Sequence, residues 1–130
     1  MISSLDNQVL AKVAAATGGR PRQPDRRRKT FLTVTQRRFH LRTYDGNSPD
    51  WFFGINERFW NPTEYFVLTC GGRQPRSFVI PVMDLNIYSF PLNGEDRKLH
   101  VIYENCRWFL RDPSPRMAID EHTDAFELLK

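Results

Sequence analysis

With 130 residues, a formal net charge of +4 and 40% hydrophobic residues, the chain carries enough apolar material for one modest core and not for two. Its ten Phe, three Trp and four Tyr argue against disorder, and no apolar run approaches the roughly 18 residues that a membrane-spanning helix needs. The N-terminus shows no basic region followed by an apolar block and a small-residue cleavage site, so a soluble, cytoplasmic protein with no membrane partner is expected.

Ser3 or Ser4 is placed to cap a first helix, because a side-chain oxygen there accepts from an otherwise unpaired backbone N–H. Leu5, Val9, Val13 and Ala16 recur near helical spacing and Gly18-Gly19 stop the run, which makes residues 1–19 an N-terminal helix. Residues 20–29, RPRQPDRRRK, hold six cations against one acid, with two prolines and no apolar periodicity. They read as a basic flexible arm, followed by a core domain over residues 30–130.

From Thr30 the pattern turns to period two, with Phe31, Thr33 and Thr35 on one face and Leu32 and Val34 on the other. Phe39 and Leu41 then alternate with His40 and Arg42, and two strands or one long bent strand fit equally well. Asp45 to Pro49 is a turn signal, and WFFGI reads as a buried strand. NERFWNP is a short helical turn or loop, YFVLTC another apolar strand, RSFVIP a strand ended by its proline, and VMDL a short helix. LNGED is a hairpin turn, LHVIY and RWFLR are strands joined by a tight turn at ENC, and Ile119–Leu129 is an amphipathic closing helix burying Ala125, Phe126, Leu128 and Leu129. The expectation is an α+β fold: a single mixed or antiparallel sheet of five to seven strands with a helix at each end.

The arm is the clearest functional signal. Arg20, Arg22, Arg26, Arg27, Arg28 and Lys29, continued by Arg37, Arg38 and Arg42, can neutralise phosphates and release counterions. A solvated, solubilising loop is the plainer explanation of the same residues. Residues 112–130 carry five acids against two cations, so the acidic end is expected to face away from the basic one. Of the aromatic set, mostly core, Trp60 beside Asn61-Pro62 is the residue expected to be exposed for base stacking. Cys70 and Cys106 are read as reduced, mostly buried thiols, and His40, His100 and His122 are scattered singly, so no metal site is expected. The literal nuclease match of Pro49-Asp50 with Asp96-Arg97-Lys98 is read as chance, because its second half falls in a turn.

From Thr30 onward the order WFFGI, YFVLTCGG, SFVIP, VMDL, LHVIY, RWFL, AFELL resembles the second half of small restriction-endonuclease-like proteins of the PD-(D/E)XK type, related to nucleases of mobile elements. Carried over, the family's (E/Q)xK strand falls at Thr33-Val34-Thr35, its upstream acid at Asp25, and its helical acid at Asp6. Threonine cannot replace a metal-binding carboxylate or the lysine, so the resemblance implies a degenerate site. The function expected is binding of nucleic acid, foremost double-stranded DNA, by phosphate clamping without a cofactor. The first alternative is a Mg²⁺-dependent endonuclease, oligomeric or completed by another subunit, with Asp25 and Asp50 as candidate catalytic acids. The second is a protein-interaction module such as an inhibitor or accessory subunit.

Overall fold

Helix α1 spans Ser4–Thr17. The Ser3 hydroxyl accepts from the Asp6 N–H at 3.0 Å, and the Asp6 carboxylate accepts from the Ser3 N–H at 2.9 Å, a reciprocal cap. Gly18 ends the helix in the left-handed region at φ 93°, its N–H donating to the Ala14 carbonyl.

The computed structural model describes residues 2–46, 50–113 and 115–130. In chain order its strands are β1 (Thr30–Leu32), β2 (Arg38–Tyr44), β3 (Asp50–Asn56), β4 (Tyr65–Cys70), β5 (Arg76–Pro81), β6 (Leu92–Asn93), β7 (Asp96–Glu104), β8 (Arg107–Leu110) and β9 (Met117–Ala118). A short helix α2 covers Val82–Leu85, and 3-10 turns cover Glu57–Phe59, Asp120–His122 and Phe126–Leu129. The fold is α+β, as the sequence implies. The strands divide, however, into two sheets, ordered β1-β2-β4-β5 and β3-β7-β8-β9, with β6 paired on β7. All pairs are antiparallel except β2 with β4, which is parallel because the chain visits the second sheet between them.

The first sheet is the middle of three layers. Phe39, Leu41, Val67 and Val79 on one face pack against Val9, Leu10 and Val13 of α1 and against Ala125, Phe126 and Leu129. Phe66, Leu68, Phe78 and Ile80 on the other face pack against Phe53, Ile55, Leu99 and Val101 of the second sheet. Each burial of such a side chain contributes about 1.5–3 kcal/mol. Because β4 is buried on both faces, it reads as a continuous apolar run.

Several expectations are corrected by these contacts. The segment Thr33–Arg37 is a hairpin loop and not strand: the Thr33 N–H donates to the Arg37 carbonyl at 2.8 Å, and Gln36 takes φ 68°. Asp96, Arg97 and Lys98 begin strand β7 and do not lie in the turn, which is formed by Gly94 and Glu95. The closing segment is two 3-10 turns and not one helix, since Thr123 bridges Phe78 and Asp124 takes φ 50° while its carboxylate accepts from the Ser77 N–H. Leu128 is exposed there, and Cys106 is exposed in the turn after β7, where it and Asn105 both have positive φ as a two-residue hairpin turn requires. Asn47 to Pro49 of the expected turn lie outside the described residues.

Segment 20–29 folds back on the core. Arg22 exchanges backbone hydrogen bonds of 3.0 and 2.9 Å with Leu32, and the Gln23 amide donates to the Arg28 carbonyl at 2.7 Å. Its end is fixed by Asp6, which is wholly buried and accepts from Thr43 Oγ1 at 2.8 Å while Lys29 Nζ lies 2.8 Å away. Burial raises the Asp6 pKa, but the bonds from Lys29, the Ser3 N–H and Thr43, with the Lys29 charge, outweigh it and hold the group below its ordinary value. The stability this carboxylate contributes is therefore full at neutral pH and is lost as pH falls through its depressed folded pKa. Lys29→Met, which leaves that buried charge without its cation, is expected to cost about 3 kcal/mol in urea unfolding at pH 7. The deficit should shrink in strong acid, once Asp6 is protonated.

Candidate functional site

Alternation along β2 sends Phe39 and Leu41 towards α1, and so turns His40 and Arg42 to the side of the second sheet. There β2 of the first sheet approaches β3, the edge strand of the second. Arg42 ties them, its guanidinium donating to the Gly54 carbonyl of β3 at 2.6 Å. The 3-10 turn Glu57–Phe59, started by Asn56 accepting from the Arg58 N–H, lays the Phe59 ring on the His40 imidazole at 4.4 Å and 15°. Arg58 and Arg28 bring their guanidinium carbons 5.0 and 5.9 Å from the centre of the same ring.

Around this stack runs a cleft of two lobes. One, of about 220 Å³, lies between the arm and the Phe59 turn, with Pro24, Phe59 and Pro62 as walls and Arg28, Arg38 and Arg58 as cationic lining. The other, of about 330 Å³, is lined by Arg27, Arg28, Lys29, His40, Arg42 and Phe59. Arg28 and Phe59 belong to both lobes.

His40 is 3% exposed. Its Nδ1 lies 3.2 Å from Thr30 Oγ1, and its buried Nε2 has no hydrogen-bond partner. Burial, followed by the charges of Arg42 and Lys29, lowers its pKa from 6.5 to about 4. The imidazole is neutral at physiological pH. Thr63, lining the first lobe, likewise has a buried Oγ1 without a partner.

The residues proposed from sequence separate into groups. Arg27, Arg28 and Arg38 line the cleft, and Arg26 is exposed on the arm beside it. Arg27 and Arg28 reach Asp25 at 3.5 and 3.7 Å, ion pairs exposed enough to exchange readily for phosphate. Arg22 has an exposed side chain on the paired part of the arm, whereas Arg20 donates to Asn7 at 3.2 Å. Arg37 pairs with Glu64 at 3.5 Å, and Lys29 and Arg42 are held by Asp6 and Gly54. Trp60 is buried, edge-on to Phe66 and beneath the Arg97 guanidinium, so it cannot serve as an exposed stacking platform. The ring that lies beside the cleft is its neighbour Phe59.

Asp25 lies in the arm, its pKa lowered first by the Arg27 N–H and then by the Arg27 and Arg28 charges. Asp50 opens β3 and pairs with Arg111 at 3.2 Å. Asp50 stands opposite Ile102 and Asp96 opposite Asn56, at the two ends of the β3–β7 ladder. Six residues of strand separate those ends by about 20 Å, too far for one metal ion. Among the described residues no three His, Cys, Asp or Glu side chains are grouped to hold a metal. Thr33 and Thr35, the residues at the resemblance's catalytic positions, bond to each other at 2.8 Å, and Thr35 donates to the Leu129 carbonyl. The acids of the C-terminal stretch are largely structural: Asp112 accepts from the His100 N–H, Asp120 from the Trp108 N–H, and Asp124 from the Ser77 N–H.

Sequence reasoning missed Arg58 and Thr63 and left Phe59 among the aromatics taken as core, all three lying more than twenty residues from the arm. The adjacent Arg58-Phe59 pair was their one visible signal. No family model, curated protein or solved structure matches the chain.

The His40 shift has a consequence for stability. From pH 6.5 down to about 4 the unfolded chain takes up a proton that the folded imidazole refuses, so folding weakens by up to about 1.4 kcal/mol per pH unit. His40→Leu is expected to flatten the decline of urea-unfolding stability across that interval relative to the unsubstituted chain.

Proposed function

We propose that the protein binds nucleic acid by clamping phosphates along the arm and the cleft behind it. The observation that carries this reading is the gathering of Arg27, Arg28, Arg38 and Arg58 around one concave edge, with Arg26 beside them and an aromatic ring among them. Guanidinium groups present forked donors that suit phosphate oxygens, and those on an exposed edge exchange water and weak ion pairs for a polyanion at low cost. The fixed root of the arm supports the reading further. Lys29 is tied to Asp6 and its carbonyl accepts from the Leu41 N–H, so the three arginines before it are held at the mouth of the cleft. Duplex DNA is the foremost ligand proposed, with the arm tracking one strand's backbone.

A second reading, a protein-interaction module, is favoured by one feature on another part of the molecule. Met83 and Ile87, at α2 and just after it, are 79% and 81% exposed, and Leu92 on β6 is 57% exposed. Large apolar side chains left in water suit a protein partner better than a polyanion.

The two readings separate in a titration of labelled duplex DNA followed by fluorescence anisotropy at two salt concentrations. Nucleic-acid binding predicts salt-sensitive affinity. Arg26, Arg27 and Arg28 replaced together by alanine should weaken it at least tenfold and flatten the logarithmic salt slope by about 0.9 for each phosphate no longer neutralised. Affinity and slope unchanged in that variant would remove the phosphate-clamp reading.

A further inference from the structure

Two residues that line the cleft, one in each lobe, carry a buried polar atom without a partner: His40 Nε2 and Thr63 Oγ1. A buried donor or acceptor left unpaired is costly, so native structures rarely keep one without a reason. His40 stacks on Phe59, the only ring shared by the two lobes among the described residues.

We propose that the cleft receives the terminal nucleotide of a strand, with its phosphomonoester in the His40 lobe and its base in the Phe59–Thr63 lobe. The inference rests on the nucleic-acid reading above and assigns it a particular feature of the ligand. Four cationic side chains line the His40 lobe: the exposed Arg27 and Arg28, Lys29 paired with Asp6, and Arg42 bonded to the Gly54 carbonyl. An internal phosphodiester carries one negative charge, whereas a terminal monoester carries nearly two at neutral pH and rewards such a concentration of cations more strongly. In the tautomer whose Nδ1 accepts from the Thr30 hydroxyl, His40 presents Nε2–H as a donor to a phosphate oxygen.

The other lobe has the chemistry of a base site. Pro24, Phe59 and Pro62 supply apolar and aromatic surface, the Thr63 hydroxyl can donate to or accept from a base edge, and the Asp25 carboxylate accepts from an exocyclic amine. The base lobe, at about 220 Å³, is below the roughly 300–1,000 Å³ typical of small-ligand sites, and the His40 lobe, at about 330 Å³, is at its lower end. Entry requires the guanidinium groups of Arg28 and Arg58 over Phe59 to move, which both exposed side chains can do, that of Arg28 being 51% exposed.

The test compares oligonucleotides of one sequence bearing a 5′-phosphate, a 3′-phosphate or neither, by anisotropy, with inorganic phosphate and a nucleoside monophosphate titrated in parallel against the His40 ring signals in NMR. Strand-end recognition predicts that one phosphorylated end binds at least tenfold more tightly than the unphosphorylated strand. His40→Phe should abolish that preference, and so should Arg27→Ala, an exposed change that leaves the core intact. Equal, salt-sensitive binding of all three oligonucleotides would overturn this inference and leave the nucleic-acid reading standing. If inorganic phosphate or the monophosphate moves the His40 signals while no oligonucleotide binds, the phosphomonoester lobe is supported, and both the strand end and the nucleic-acid reading are overturned. Silence in both arms would overturn the site and the reading together.

Discussion

The buried carboxylate of Asp6 is the constraint on which the arrangement of this molecule depends. It completes the helix cap with Ser3, accepts from Thr43 on β2, and holds the ammonium of Lys29 at the root of the arm. Three segments distant in sequence are thus fixed to one group that has no access to water. An ion removed from solvent is tolerable only when it is paired and hydrogen-bonded, and here both oxygens are engaged, Oδ2 by the Ser3 N–H and Lys29 and Oδ1 by Thr43. The functional consequence lies one residue upstream of Lys29, where Arg28 reaches the Phe59 ring and both lobes of the cleft.

The two-sheet layering explains why a cleft exists at all. Apolar side chains of β4 and β5 meet those of β3 and β7 to form the larger core, which leaves β2 with polar side chains on that same face. His40 and Arg42 therefore face β3 and the Glu57–Phe59 turn, where His40 is buried under the Phe59 ring and Arg42 is half-buried against Gly54. Arg42 is consumed in holding β3, and burial lowers its pKa despite the opposing charge of Asp96. It shapes the lobe more than it offers a free charge. The exposed arginines of the arm and of the Phe59 turn supply the mobile charge instead.

Much of this was legible in the chain. The Ser3–Asp6 spacing and Gly18-Gly19 specify α1, the ENC turn and the period-two runs specify strands, and six clustered cations mark the arm. The partition into two sheets was not legible, because β4 is apolar on both faces and such a run does not say which neighbours it will meet. The closing helix failed for a tertiary reason: Thr123 is drawn out to bridge Phe78, and Asp124 gives up helical geometry to pair with Ser77. The choice of Trp60 over Phe59 missed by one position, since the 3-10 turn rotates Trp60 inward against Phe66 and Phe90. Sequence could mark the basic arm, but only the fold shows that Arg58, Phe59 and Thr63 face it.

The central claim is that ligand binding occurs at the edge where the arm, β2 and the Phe59 turn converge. Its most direct measurement is a backbone and side-chain NMR titration with a short DNA duplex, recording which signals move. Shifts concentrated in residues 24–29, 38–42 and 58–63, with the His40 ring among them, are the predicted result. Shifts confined to Met83, Ile87 and the outer face of the second sheet, or no shifts at low salt, would contradict it.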